Sequence, residues 1–217
     1  MRNVVLGLLM VGAMVTGAQR ADASSVQVGD SLQFADAAGT TGGGEFVATV
    51  NGAWSFITFC LQRTEYIDFT NAFTVEGVSP YTLTDPVGNG GDAQGRDFIS
   101  AQTAYLYTMF RAGTLAGYDY AGAGHAASAD ALQRAFWMLE QELPMDANNA
   151  FVALANTAVN TGAWTGIGHV RVLNLRYGRN NTEAQDQLTL VPEPASMLLL
   201  GAGIAAFAVR RRRTVAR

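Results

Sequence analysis

Two short apolar segments, one near each end of the chain, limit what the residues between them can fold into. Arg2 precedes an apolar run from Val4 to Ala18, and the small residues Ala21 and Ala23 follow it. A positive start, a short apolar core and two small residues at this spacing are typical of a secretory signal peptide. We predict cleavage after Ala23; the other interpretation, an N-terminal membrane anchor, needs a longer apolar run.

The C-terminal segment combines three features in a fixed order. An apolar run from Ala195 to Val209 follows a Pro-Glu-Pro sequence and precedes a cluster of arginines. As a helix the run would span roughly 22 Å, which is less than the ~30 Å hydrocarbon core of a bilayer. Arginines beside a membrane segment stay cytoplasmic, so we expect the preceding domain to lie outside the cytoplasm. The residues of this signal are Pro192, Glu193, Pro194, Arg210, Arg211, Arg212 and Arg213.

The tail from Val191 onward resembles the PEP-CTERM sorting signal of Gram-negative bacteria. The resemblance implies export by the Sec machinery, recognition by an exosortase in the inner membrane and cleavage near the Pro-Glu-Pro sequence. It also implies a precursor that is held transiently in the inner membrane and a mature form at the outer surface or in the extracellular matrix. An ordinary C-terminal tail anchor is the alternative interpretation of the same segment.

Between the two ends we predict one extracytoplasmic domain at residues 24–190, after a signal peptide at 1–23 and before the sorting signal at 191–217. All 14 basic residues are arginines, and half of them lie in the end segments, whereas most of the 18 acids lie between those segments. The mature domain is therefore acidic, which disfavours nucleic acid and anionic membrane surfaces as partners. The lack of lysine excludes an intramolecular Lys–Asn crosslink.

The spacing of apolar residues changes twice along the predicted domain. The first part holds short strand-like segments such as "GEFVATV" and "WSFITFCLQ", which are separated by the favoured hairpin turn Asn51-Gly52. Three segments then have helical spacing: Phe98 to Arg111, Ala131 to Leu143, and Asp146 to about Gly162. Two strand-like segments close the domain. We predict an α+β fold, an antiparallel β-sandwich or barrel with a helical insertion of about three helices.

The sequence lacks the common catalytic and metal-binding patterns. It has no G-x-S-x-G motif, and His125 and His169 are far apart, without metal-ligand spacing. A glycine-rich loop contains Asp85, Asn89 and Asp92, whose oxygens suit calcium, but the loop lacks the EF-hand register. We predict that the protein is not an enzyme and needs no cofactor or metal, and calcium binding in this loop stays open.

Cys60 is the only cysteine of the chain and lies in a strand-like segment. Exported proteins usually pair their cysteines, so a single thiol needs an explanation. It could be a buried apolar residue, half of an intermolecular disulfide, or a reactive group. A papain-like nucleophile is disfavoured, because that role requires a cysteine at the start of a helix with a histidine partner.

The pair Phe59-Cys60 and the later sequence Gln133-Arg134-Ala135-Phe136-Trp137 resemble the thioester domains of bacterial surface adhesins. In that family a cysteine after an aromatic residue bonds to the glutamine of a Gln-x-Ala-aliphatic-Trp helix; here Phe136 replaces the aliphatic residue. The resemblance spans Phe59 to Leu143 and implies a Cys60–Gln133 thioester that an amine or hydroxyl of a target surface opens. Phe59, Phe136 and Trp137 are the candidates for shielding the bond from water.

Two interpretations of the glutamine remain open at the level of the sequence. Gln133 follows Asp130 at the spacing of a capping box, in which Gln133 would bond only to its own helix terminus. Alternatively, a position near the helix N-terminus would supply free N–H groups and a positive dipole to a reacting amide. The corresponding functions are a covalent adhesin with a thioester, or a structural matrix or biofilm protein with Cys60 as a core thiol.

The sorting-signal interpretation predicts that the host accumulates an exported form without the tail. Deleting the exosortase is expected to abolish that form, because the short anchor then stays attached to the domain. Mass spectrometry of the exported fraction measures the change. A tail-free form that persists in the deletion strain would contradict the assignment of the tail to exosortase.

Overall fold

The computed structural model describes residues 25–40, 43–84, 86, 88–177 and 182–192. The predicted signal peptidase site at Ala21 and Ala23, the loop residue Asp85 and the sorting signal from Glu193 onward lie outside the described residues. Within the described part the chain forms eight strands and three helices in an α+β arrangement, as predicted. The three helices follow one another between the sixth and seventh strands, which confirms the helical insertion.

The strands form one large sheet and one small hairpin. The strands are β1 (Ser31–Asp36), β2 (Phe46–Val50), β3 (Trp54–Thr58), β4 (Ala72–Ser79), β5 (Tyr81–Leu83), β6 (Arg96–Phe98), β7 (Val170–Tyr177) and β8 (Thr182–Leu190). The large sheet has the order β3-β2-β1-β4-β7-β8, and all its neighbouring strands are antiparallel. β5 and β6 pair separately. The turn between β2 and β3 has φ values of 51° at Asn51 and 66° at Gly52, as the Asn-Gly pair predicts.

The two edges of the large sheet meet just after β3. Cys60 forms an antiparallel bridge with Gln187 of β8, flanked by hydrogen bonds from Leu188 N to the Phe59 oxygen and from Leu61 N to the Asp186 oxygen, both 3.1 Å. Because these bonds join the neighbours of Cys60 and Gln187 and not the two residues themselves, Cys60 and Gln187 are a non-hydrogen-bonded pair of the antiparallel ladder. The N–H and C=O of Cys60 therefore point away from β8 and need partners elsewhere.

The helical insertion consists of α1 (Ala101–Arg111), α2 (His125–Leu139) and α3 (Ala150–Asn160). Helix α2 begins six residues before the predicted start at Ala131. The alanine-rich segment before Asp130 has high helix propensity but no apolar stripe, so the spacing rule did not detect it. The predictions for the other two helices erred in the opposite direction: α1 and α3 begin later than predicted, because Ser100 caps α1 and Asn149 rather than Asp146 caps α3.

Buried side chains form two clusters on opposite faces of the large sheet. One cluster fills the space between the sheet and the helices and includes Phe59, Leu106, Phe136 and Leu188. The other is enclosed by the curved sheet and includes Leu32, Phe34, Phe56 and Phe73. Side chains alternate between faces along a strand, so Cys60 shares its face with Phe56, while Phe59 faces the helices.

A buried carboxyl group ties β8 to two other segments. Asp186 Oδ1 accepts from the Leu175 N–H, and its Oδ2 accepts from the Leu83 N–H and the Asn174 amide, at 3.0, 3.2 and 2.7 Å. Burial raises the pKa of Asp186 well above its usual range, although these donors act in the opposite direction. The folded protein therefore favours the protonated carboxyl more strongly than the unfolded chain does.

This burial predicts that part of the stability depends on pH. The stability supplied by protonated Asp186 is fully present below the pKa of an unfolded aspartate, ~3.9, and is lost as pH rises through the raised folded pKa. Asp186→Asn mimics the protonated carboxyl, so this variant does not lose that stability as pH rises. Its unfolding free energy should therefore increase relative to that of the wild type as pH rises.

Urea unfolding at a series of pH values measures this difference, and Asp146→Asn is the control because Asp146 is exposed. A difference between Asp186→Asn and wild type that stays constant over pH would contradict the account of Asp186.

Candidate functional site

The structure brings the Cys60 thiol and the Gln133 amide into direct contact. The Cys60 backbone N–H donates to Gln133 Oε1 at 3.2 Å, and the Cys60 Sγ lies 3.2 Å from the same oxygen. Gln133 Nε2 donates to the Cys60 carbonyl oxygen at 2.7 Å. Both residues are almost completely buried, with 1% and 0% of their surfaces exposed. The amide is thus held at both ends beside the sulfur.

This contact depends on how α2 packs against the end of β3. The Phe59 and Phe136 rings are in edge-to-face contact with centroids 5.2 Å apart, in the cluster between the sheet and the helices. That contact fixes α2 near the backbone of residue 60, because Phe136 is one turn beyond Gln133. The amide of Gln133 then bonds to the two Cys60 backbone groups that β8 leaves unpaired. The ring packing and the hydrogen bonds of Gln133 therefore favour the same position of α2 relative to Cys60.

The capping-box interpretation is wrong for this helix. Asp130 lies in the second turn of α2 and accepts hydrogen bonds from the Thr40 N–H and hydroxyl, at 2.8 and 2.9 Å. Gln133 bonds to Cys60 rather than to its own helix terminus. The expectation that Gln133 lies at a helix N-terminus is equally wrong, since α2 begins at His125. The donor to its carbonyl oxygen is the Cys60 N–H.

The environment of Cys60 disfavours the reactive thiolate form. Burial raises the pKa of Cys60, and the nearby Glu142 carboxylate acts in the same direction. The backbone N–H of Cys60 and the indole of Trp137 lower the pKa by smaller amounts. The sulfur is therefore protonated at neutral pH, so its reactivity depends on position rather than on thiolate content.

A cleft of about 970 Å³ lies beside the pair, and Cys60 forms part of its buried wall. Trp137 and Cys60 both line it, whereas Phe59 and Phe136 lie in the core behind the strand. Of the three residues predicted to shield the pair, Trp137 lies on the solvent side. Its indole N–H lies beside the sulfur but has no hydrogen-bond partner in the described part of the chain.

The outer wall of the cleft is aromatic and partly exposed. Tyr66 and Phe69 expose 77% and 53% of their surfaces, and Phe46 and Ile67 line the cleft beside them. The remaining lining is polar and has charges of both signs: Asp36, Thr40, Arg63, Thr64 and Gln185. The opening therefore presents apolar faces and hydrogen-bonding groups to a ligand.

Gly43 packs against Gln133 and Trp137 of α2. It has φ +152°, and a Cβ atom there would lie 2.7 Å from Gln133 Cγ and 2.9 Å from Trp137 Cη2. Only glycine lets the segment before β2 approach so closely. Sequence reasoning missed this position, because "GTTGGGE" resembles an ordinary loop and contains no chemical motif.

The two histidines are not part of the site. His125 is the first residue of α2, and its Nε2 lies 3.0 Å from the Glu45 carboxylate, which also accepts from the Tyr118 hydroxyl at 2.5 Å. His169 precedes β7. These two contacts of Glu45 join the segment before β2 to the start of α2 and to the loop before it.

The loop considered for calcium is held by an ion pair. Asp92 binds the Arg96 guanidinium at 2.7 Å, which lowers the pKa of Asp92. Among the described residues, no cluster of three histidine, cysteine or acidic side chains is placed to hold a metal. The same part of the chain contains no helix that is long and apolar enough to span a bilayer.

The folded domain runs directly into the sorting segment. Val191 N donates to the His169 oxygen at 2.9 Å, immediately after β8 ends at Leu190. Pro192, the first residue of the Pro-Glu-Pro sequence, is the last described residue. No linker separates β8 from this sequence.

Comparison with known proteins identifies the tail. Residues 190–213 match the PEP-CTERM protein-sorting motif, which covers both the Pro-Glu-Pro sequence and the four arginines. The chain thus carries the signal of an exported, membrane-anchored precursor that exosortase processes. No curated protein and no solved structure matches the chain, so no relative supports the resemblance to thioester domains.

The contacts of Gly43 predict a specific defect. In Gly43→Ala the new methyl group displaces Gln133 or Trp137, and the unfolding free energy should fall by about 1–3 kcal/mol. Gly29→Ala is the matched control, since Gly29 has φ +92° and a Cβ atom there would have no other atom within 4 Å. Urea unfolding of both variants tests this, and equal losses would show that backbone strain alone explains the effect.

Proposed function

We propose that this exported, exosortase-processed protein binds its target covalently through a thioester between Cys60 and Gln133. The observation that supports the proposal most is the contact of the Cys60 thiol with an amide held on both sides by the Cys60 backbone. In this function the protein is not an enzyme, because each molecule reacts once. It requires no metal or cofactor.

Formation of the bond is an exchange within the folded domain. The Cys60 sulfur attacks the Gln133 amide carbon, and the carbonyl oxygen takes up negative charge. The carbon–nitrogen bond then breaks, the thiol proton moves to the nitrogen, and ammonia leaves. The Cys60 N–H already donates to Gln133 Oε1, so it is placed to stabilise the developing oxyanion.

Position supplies the rate acceleration that the thiol's own reactivity does not. A buried, protonated thiol and a neutral amide react very slowly in free solution. Holding two groups in contact replaces a bimolecular encounter, and such orientation contributes about 7–11 kcal/mol in favourable cases. The bonds from Gln133 to Cys60 and the close approach of Gly43 restrict the amide to one orientation.

Reaction with the target reverses the chemistry with another nucleophile. An amine or hydroxyl enters through the cleft beside Trp137 and attacks the acyl carbon of Gln133. The sulfur–carbon bond breaks, the proton of the nucleophile moves to the sulfur, and Cys60 becomes a free thiol. The target stays joined to Gln133 through an amide or ester bond.

A purely structural role would use the same hydrogen bonds. The Gln133 amide would complete the pairing of the Cys60 backbone where β8 cannot, and the thiol would be a small buried side chain. The protein would then be a non-covalent component of a surface or matrix. The two roles differ in the mass of the folded protein and in its response to nucleophiles.

Intact mass spectrometry of residues 24–192 is the test, with Cys60→Ala and Gln133→Ala as controls. Wild type is expected to be lighter than its sequence by one ammonia. Methylamine should then add its own mass and expose one thiol, whereas neither variant should respond. A wild-type mass that equals the sequence, with a thiol that reacts fully after unfolding, would overturn the proposal.

A further inference from the structure

We infer that Gln187 is a positioning residue that turns the Cys60 thiol so that its sulfur lone pair faces the Gln133 amide. The inference rests on the proposed thioester. It assigns a role to a residue outside both sequence motifs.

Gln187 lies directly opposite Cys60 at the point where the two sheet edges meet. In a non-hydrogen-bonded antiparallel pair the side chains project on the same face, with Cβ atoms about 4.5–5.5 Å apart. The Gln187 amide is therefore within reach of the Cys60 sulfur. Because Gln187 is completely buried, its side chain has no access to water.

The hydrogen bonding of Gln187 is incomplete. Its Nε2 donates weakly to the Gln185 oxygen at 3.3 Å, but its Oε1 has no partner among the described residues. A buried acceptor without a donor is costly, and such groups in native proteins call for a specific explanation. The Cys60 thiol lies across the bridge and is the donor that we assign to this oxygen.

Gln133 Oε1 accepts from the thiol in the structure, and we take the unpaired Gln187 Oε1 across the bridge as the alternative acceptor. In the structure the Cys60 sulfur lies against Gln133 Oε1, so the thiol proton points at the group that the sulfur must attack. When the thiol donates to Gln187 Oε1 instead, a sulfur lone pair faces the Gln133 carbon. The unpaired Trp137 indole N–H lies beside the sulfur and can donate to it as charge develops there.

A structural explanation makes a different prediction for the same side chain. If Gln187 only fills space, leucine should serve as well, since Oε1 has no donor to lose and Nε2 makes only one weak bond at 3.3 Å. If Gln187 orients the thiol, leucine should slow the chemistry of the folded protein. Rate and stability therefore separate the two roles.

The rate can be measured on folded protein because ammonia reverses thioester formation. Incubation with concentrated ammonium chloride returns Cys60 to the thiol and residue 133 to the amide, and removal of ammonia starts re-formation. Mass spectrometry then follows the return of the mass deficit at several pH values. The variants are Gln187→Leu, Gln187→Glu, which keeps an acceptor, and Thr189→Val, two residues along on β8.

We expect Gln187→Leu to re-form the bond about tenfold more slowly, with an unfolding free energy equal to or above that of wild type. Gln187→Glu should retain a rate closer to that of wild type and a changed pH profile, and Thr189→Val should be unaffected. A wild-type rate in Gln187→Leu overturns this inference alone. Equal slowing in the leucine and glutamate variants also overturns it, and a wild-type protein without the deficit overturns the thioester as well.

Discussion

The structure depends on the point where the two edge strands of the large sheet meet. The bridge between Cys60 and Gln187 joins edges that are farthest apart in strand order, and it leaves the Cys60 N–H and C=O facing away from β8. Buried backbone groups require partners, and the Gln133 amide supplies one for each. The interaction that completes the sheet therefore also places an acyl group beside a thiol.

The rest of the domain holds α2 against this point. The Phe59–Phe136 contact packs the helix on the sheet, the Asp130–Thr40 bonds attach it to the segment before β2, and Gly43 lets that segment lie against Gln133. β8 supplies Gln187 and then continues into the sorting motif without a linker. Cleavage after Pro192 would therefore leave the closing strand in place.

Local patterns in the sequence predicted which helices and strands form better than they predicted where each one begins and ends. The Asn51-Gly52 turn and the helical spacing were sufficient for the α+β class, whereas the early start of α2 was missed because its first turns are alanine-rich. Gln133 was found through its motif. Gly43 and Gln187 carry no local signal, because their importance comes from contacts across the fold.

Peptide mapping tests the central claim most directly, because it locates the bond. Proteolysis of the mature domain under acidic conditions should release one species that joins the Cys60 peptide to the Gln133 peptide, lighter than their sum by one ammonia. Fragmentation should place the junction at these two residues. Recovery of both peptides separately, with full masses and a free Cys60 thiol, would contradict the account.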